Sequence, residues 1–417
     1  MKNIFNLYYK IANTNLDRIF CIIICLICFF NASYLSSVFF IETENDFKTG
    51  YYIGAVNIKN GNGYTNNDGD LITHWPPGYS IYLAPIVSSS IESSMKRIRI
   101  VNGLLAMLWA FLLIKIFKKI IPKIPTFIPL GFSVLWAPML AIGNPILSEL
   151  LFATILTLSI YILLLLFSKT KISSQILLSA VYGGLLGYAI LIKTLGIPIF
   201  IFAIIILAFV WKKVSYWHKL TFLFVIIISC GFVISPWLFT FYNYTGQIGF
   251  TTASLYSFTD GIKPFTYIEA GEFLYNQRES WSSLSEILLS YFDTLIKYPL
   301  STSYLIIIKS VKCWFGTDSG RFETIMIFTN IPFLILFLIA IYKIVRTLIR
   351  WGQKSLRISP IILIVVGYIL GIWLPATVLS LPIFRYMTPI FPFVVLVIFY
   401  TLFNPDTNKE SQLRIKY

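Results

Sequence analysis

The chain has 417 residues, of which 57% are hydrophobic and 12% charged, with a mean hydropathy of +0.78. That balance leaves too little polar surface for a soluble globular core of this size. The net charge of +15 would suggest nucleic acid in a soluble chain, but most Lys and Arg flank apolar runs, which is how membrane proteins mark their cytoplasmic side, so no nucleic-acid partner is expected.

The apolar runs are continuous Ile, Leu and Phe rather than alternating, which argues against a transmembrane β-barrel and predicts an all-α polytopic membrane protein. The first run, 19–40, follows Lys2, Lys10 and Arg18. It is longer than a signal-peptide core and has no convincing small-x-small cleavage site, so it is expected to remain as the first membrane helix. Cys21, Cys25 and Cys28 lie within it and, with two further cysteines, form neither a disulfide framework nor a close metal pattern.

Further crossings are expected at 101–119, 125–143, 146–167, 174–192, 196–212, 219–240, 324–343, 359–379 and 387–403, which makes ten. The region around Pro138 and Pro145 could equally be two short crossings or a broken pair. Basic clusters at Lys115–Lys123, Lys169–Lys171, Lys212–Lys219 and Lys343–Arg357 all fall on the cytoplasmic face when both termini are inside. The opposite, external face then receives two long loops, 41–100 and 241–323, and the tail 404–417 is cytoplasmic. Lys96, Arg97 and Arg99 oppose this placement, although a long loop tolerates charge better than a short one. Residues 301–313 are too short to span and read as a helix lying on the membrane surface.

Between residues 39 and 85 the first loop carries five carboxylates, Glu42, Glu44, Asp46, Asp68 and Asp70, and a Trp75-Pro-Pro-Gly78 turn. Other polar groups gather at the same face: Asn144, Glu149, Lys193 and Arg385. Each has a plain structural reading: a solvating loop carboxylate, a helix cap near the dipole, or a cation reaching for the interface. Together they point to a site, because charges at the edge of a helical bundle are costly without partners. Asp68 and Asp70, set among Asn and Gly, read as solvent-facing turn residues, and His218 as a structural residue at the cytoplasmic interface.

The segments "ENDFKTGYYIGAVNIKNGNGY", "HWPPGYSIYLAP", "RIRIVNGLL", "LWAPMLAIGNPILSELLF", "YGGLLGYAILIKTLGIPIF", "ISPWLFTFYNYTG" and "FRYMTPIFPF" occur in this order. In that order they resemble the bacterial polyprenyl-phosphate-dependent glycosyltransferases of the GT-C superfamily, the group containing protein mannosyltransferases and the aminoarabinose transferases that modify lipid A. The resemblance runs through nearly the whole chain. It implies a GT-C-like bundle of about ten transmembrane helices in a bacterial cytoplasmic (inner) membrane, with interfacial helices in both external loops and the active site on the external, periplasmic face. It also implies a role in cell-envelope biogenesis, such as lipopolysaccharide modification. The expected reaction moves a single sugar from a polyisoprenyl, expected undecaprenyl, phosphate to a lipid, glycan or protein acceptor by inverting displacement.

By this resemblance Asp46 matches the catalytic carboxylate, with Glu44 in reserve if the register is displaced. Lys193, where relatives commonly carry Arg, and Arg385, in an Arg-Tyr-x-x-Pro motif, match the cations expected to bind the donor phosphate. Tyr51, Tyr52, His74, Tyr79 and Glu149 are expected to support the substrate or the loop. Asp46 and Glu149 could gather a divalent cation, but with one local histidine, His74, they do not establish a metal site, and no other cofactor is implied. No Gly-rich loop followed by Lys-Ser/Thr offers a nucleotide-phosphate cradle. A transporter or permease is the rival reading, disfavoured because no paired repeats or matched broken helices are evident. An O-antigen ligase, which would take a glycan from a diphosphate carrier, is the rival enzyme, and a structural membrane protein is a further alternative.

Overall fold

The computed structural model describes residues 11–12, 14–35, 47–88, 90–136, 148–169, 171–210, 215–281, 284–317, 323–351 and 359–403. They form an all-α, multi-pass membrane bundle. In chain order the helices are α1 (Asn15–Phe30), α2 (Ile53–Lys59), α3 (Gly78–Leu83), α4 (Ile91–Ile120), α5 (Phe127–Val134), α6 (Glu149–Ser168), α7 (Ile172–Ile192), α8 (Gly196–Val210) and α9 (Tyr216–Thr245). There follow α10 (Ala253–Ile262), α11 (Glu269–Asn276), α12 (Leu284–Lys297), α13 (Pro299–Lys312), α14 (Glu323–Trp351), α15 (Pro360–Leu379), α16 (Phe384–Met387) and α17 (Phe391–Phe403). A 3₁₀ turn, Thr388–Ile390, joins the last two into one span.

Eight helices among the described residues are long and apolar enough to cross a membrane: α1, α4, α6, α7, α9, α14, α15 and the joined α16–α17. Two of the ten expected crossings are not among these eight. The helix expected at 125–143 is described only as the eight residues of α5, its remainder lying largely in 137–147, outside the described residues. The helix expected at 196–212 is described over the 15 residues of α8, about 22 Å at 1.5 Å per residue, and 211–214 lie outside the described residues. A third difference concerns α4, which starts at Ile91 rather than near 101 because Ser90 caps it, its Oγ accepting from the Ser93 amide at 3.5 Å. Lys96, Arg97 and Arg99 therefore occupy the first turns of a 30-residue helix, about 45 Å long, which exceeds the apolar thickness and lets its first turns stand outside it.

Packing follows the small residues. α7 lies along α9, and a Cβ at Gly183 would overlap the Ile226 carbonyl oxygen, so the backbones touch as small-residue seams allow. Buried hydroxyls stitch three other faces: the Tyr368 hydroxyl on α15 pairs with Tyr182 on α7 at 2.9 Å and with Ser159 on α6 at 3.0 Å. At the far end Asp17, fully buried in α1, accepts the Phe127 amide at 3.1 Å and so pins the start of α5.

The second long loop is built from α10 to α13 around its own core of Phe258, Ile262, Phe265, Leu274, Tyr291 and Leu305. α13 leans on the end of α15, where Trp373 Nε1 donates to the Ser310 carbonyl at 3.0 Å. The first loop turns through Asp68 and Asp70, both exposed, whose amides donate to Asn66 Oδ1 at 2.9 Å. This agrees with their reading as turn residues.

Gly183→Val is expected to push α7 off α9 and to lower stability by roughly 1–3 kcal/mol, the usual cost of overpacking a close seam. Denaturant unfolding of the detergent-solubilised protein measures it, and an unchanged midpoint would contradict the seam.

Candidate functional site

Three charged side chains from distant parts of the chain meet at the end of the bundle that bears the loops. Glu149 is the first residue of α6, where the unpaired amides of a helix N-terminus favour a carboxylate. Lys193 is the residue that ends α7, its backbone extended. Arg385 sits in α16, directly after the extended segment 381–383. Glu149 Oε1 accepts from Lys193 Nζ at 2.7 Å and from Arg385 Nε at 2.6 Å.

The carboxylate is almost wholly enclosed, its side chain 3% exposed, against 13% for Lys193 and 29% for Arg385. Both contacts are charge-assisted and short. With two cations on one carboxylate, the triad carries +2 − 1 = +1. Glu149 Oε2 is buried and has no hydrogen-bond partner. Lys193 Nζ also lies 5.3 Å from the centre of the Tyr386 ring.

Aromatic residues of the first loop close the inner side. Tyr51 and Tyr79 are buried and meet edge to face at 5.0 Å. Burial first, and then the Glu149 carboxylate, pushes the Tyr51 phenol far above its ordinary range. Burial, then Tyr82 and Glu149, do the same to Tyr79. Both phenols therefore stay protonated and neutral beside the carboxylate.

The Trp-Pro-Pro-Gly turn seats this wall. Pro77 precedes α3, and Gly78 lies so close to α7 that a Cβ there would come 2.5 Å from the Leu191 carbonyl. Tyr188 adds a hydrogen bond from its hydroxyl to the Gly78 carbonyl at 3.0 Å. The turn is thus fixed to the last residues of α7, two positions before Lys193.

Of the residues expected from sequence, Lys193, Arg385 and Glu149 come together, with Tyr51 and Tyr79 beside them. Tyr52 points elsewhere, its hydroxyl donating to the Ser88 carbonyl at 3.0 Å. His74 meets Trp75 edge to face at 4.4 Å and lies 5.7 Å from the Tyr256 ring, forming part of the loop wall. Glu44, Asp46 and Asn144 lie outside the described residues. Among the described residues no group of three or more His, Cys, Asp and Glu is placed to hold a metal ion.

The sequence pointed to Glu149 as support for the substrate or the loop and to the two cations as phosphate ligands, and did not foretell the Glu149 oxygen that joins all three. Their separations, 44 and 236 residues, leave no local periodicity that could have shown it. No protein-family model, curated protein or solved structure matches the chain.

Glu149→Ala would strand two cations at a mostly buried position, and a loss of about 3–5 kcal/mol is expected, as when one partner of a buried pair is removed. Gly78→Ala should move α3 off α7 and loosen Lys193 with it. The checks are denaturant unfolding for the first and the labelling rate of the Lys193 amine by an impermeant acylating reagent for the second. A rate equal to wild type would contradict the seating role of the turn.

Proposed function

We propose that the protein is a GT-C-like glycosyltransferase that moves a single sugar from a polyisoprenyl phosphate to an envelope lipid, glycan or protein acceptor. The observation that carries this reading is the convergence of Lys193 and Arg385 on one buried carboxylate oxygen, a preformed cationic centre at one end of the membrane bundle. A departing phosphate gains negative charge as its bond to the anomeric carbon lengthens, and fixed cations stabilise that charge at little reorganisation cost. Glu149 holds the two cations in place. The neutral phenols of Tyr51 and Tyr79 add no competing negative charge.

In this reading the acceptor hydroxyl oxygen bonds to the anomeric carbon on the face opposite the phosphate. The carbon–oxygen bond to the carrier phosphate breaks, its electron pair stays on the phosphate, and the hydroxyl proton passes to Asp46. The assignment of Asp46 rests on the resemblance of its segment, with Glu44 as the alternative. The bundle belongs to an inner membrane with its loop face outward. α5 and α8 count as short crossings that complete ten, since α8 has to return the chain from Lys193 to the basic cluster Lys212–Lys219. The outward apolar side chains of α12 and α13, among them Leu289, Phe292, Ile296, Leu300 and Ile307, all exposed, suit a pair of helices at the membrane interface.

The test is transfer in vitro with a panel of radiolabelled polyprenyl-phosphate sugars and lipid, glycan and protein acceptors. Asp46→Asn should lower turnover by roughly 10²–10⁴-fold while leaving folding intact. Arg385→Ala should lower kcat/KM for the donor by roughly a hundredfold. Absence of transfer across the panel, together with specific solute flux in liposomes, would replace this reading with that of a transporter.

A further inference from the structure

The second loop hides a lysine that the cationic centre does not use. On α13 the buried residues Thr302, Leu305, Lys309 and Cys313 form one stripe, and a stripe at this spacing normally faces a core with apolar side chains. Lys309 is completely enclosed, and its ammonium nitrogen has no hydrogen-bond partner. The centre of the Phe258 ring lies 5.8 Å from the nitrogen.

The carboxylates carried by the surrounding elements do not pair with Lys309. α10 carries Asp260, and α11 carries Glu269 and Glu272. α12 carries Glu286, Tyr291 and Asp293, the last already paired with Lys297 at 2.9 Å. Cys313 and Lys312 follow on α13 itself, Lys312 lying 3.8 Å from Glu323. α15 has only Tyr368, bonded to Tyr182 and Ser159. None of these pairs with Lys309, and burial lowers its ammonium to about 7, with Cys313 a smaller opposing influence.

The far end of the same helix holds the segment that presents Arg385. The Gly316 carbonyl accepts the Phe384 amide at 2.8 Å, and a Cβ at Gly316 would overlap the Pro382 carbonyl oxygen. Cys313 Sγ lies 3.8 Å from Thr377 Oγ1 on α15, and the Trp314 carbonyl accepts Asn330 Nδ2 from α14 at 2.8 Å. Residues 313–316 are therefore the joint between α13 and the Arg385 segment.

We propose that Lys309 is a proton-operated latch: in its neutral form it seats α13 against α15 and holds Arg385 on Glu149, and proton uptake drives α13 outward, releasing the Arg385 segment with it. The sign follows from linkage. The opened state takes up the proton at an ordinary lysine value and the closed state only near 7. Opening is therefore favoured progressively as pH falls from about 10 to 7, and levels off below 7 once both states are protonated.

Hydrogen exchange of the full-length protein in nanodiscs tests this, with intrinsic rates corrected, on peptides covering 305–316 and 381–387. Between pH 9 and pH 7 the opening constant of both should rise about fifty-fold in the wild type, and the rise should stop below pH 7. Lys309→Met should abolish the pH dependence in both peptides, and Lys309→Arg should leave both open at every pH. A pH-independent wild type, a dependence retained in Lys309→Met, or a change confined to 305–316 would overturn the latch. The wild-type profile decides the matter alone if Lys309→Met does not fold.

Discussion

One carboxylate oxygen accepting two cations is the constraint around which this end of the bundle is arranged. Glu149 Oε1 draws together the start of α6, the end of α7 and the entry to the last span, three elements with no backbone hydrogen bonds to one another at that point among the described residues. A buried ion pair adds little net stability over an apolar contact, because desolvation offsets attraction. Its contribution here is positional: it defines where two long, flexible cationic side chains stand at a membrane edge. The two cations are thereby held in a fixed arrangement.

The means of holding that geometry is backbone contact more than side-chain packing. Gly78 against Leu191 and Gly316 against Pro382 each place two main chains where a single methyl group would not fit. Such contacts are stiff, since peptide planes yield less than side chains. The Lys193 end of the site is braced by the first loop and the Arg385 end by the second. The two loops thus act on opposite partners of the same carboxylate.

Much of the fold was legible from the apolar runs and their basic flanks, because a bilayer imposes both length and charge asymmetry on the sequence. The limits were local. α4 starts ten residues early because a capping serine outweighs the cost of charged residues in its first turns, which can stand outside the apolar layer. α8 is followed only to Val210, ahead of the basic cluster, because 211–214 lie outside the described residues. At the site, residue type and membrane side singled out Lys193, Arg385 and Glu149, but their shared contact depends on tertiary approach across 236 residues, which no periodicity encodes. Lys309 and Asp17 were missed for the opposite reason. Each sits in a helical stripe where sequence alone reads a charge as solvated, and only the packing around it shows that it is enclosed.

The order of residues along the chain also says when the cationic centre comes into being. Glu149 and Lys193 are both present once α7 has been made, yet Arg385 enters with the final span. During synthesis the carboxylate therefore has only one of its two cations until α8 to α15 have been made. The helix that brings Arg385 into the bilayer is the one that completes the triad, so insertion of that helix and maturation of the site are the same event.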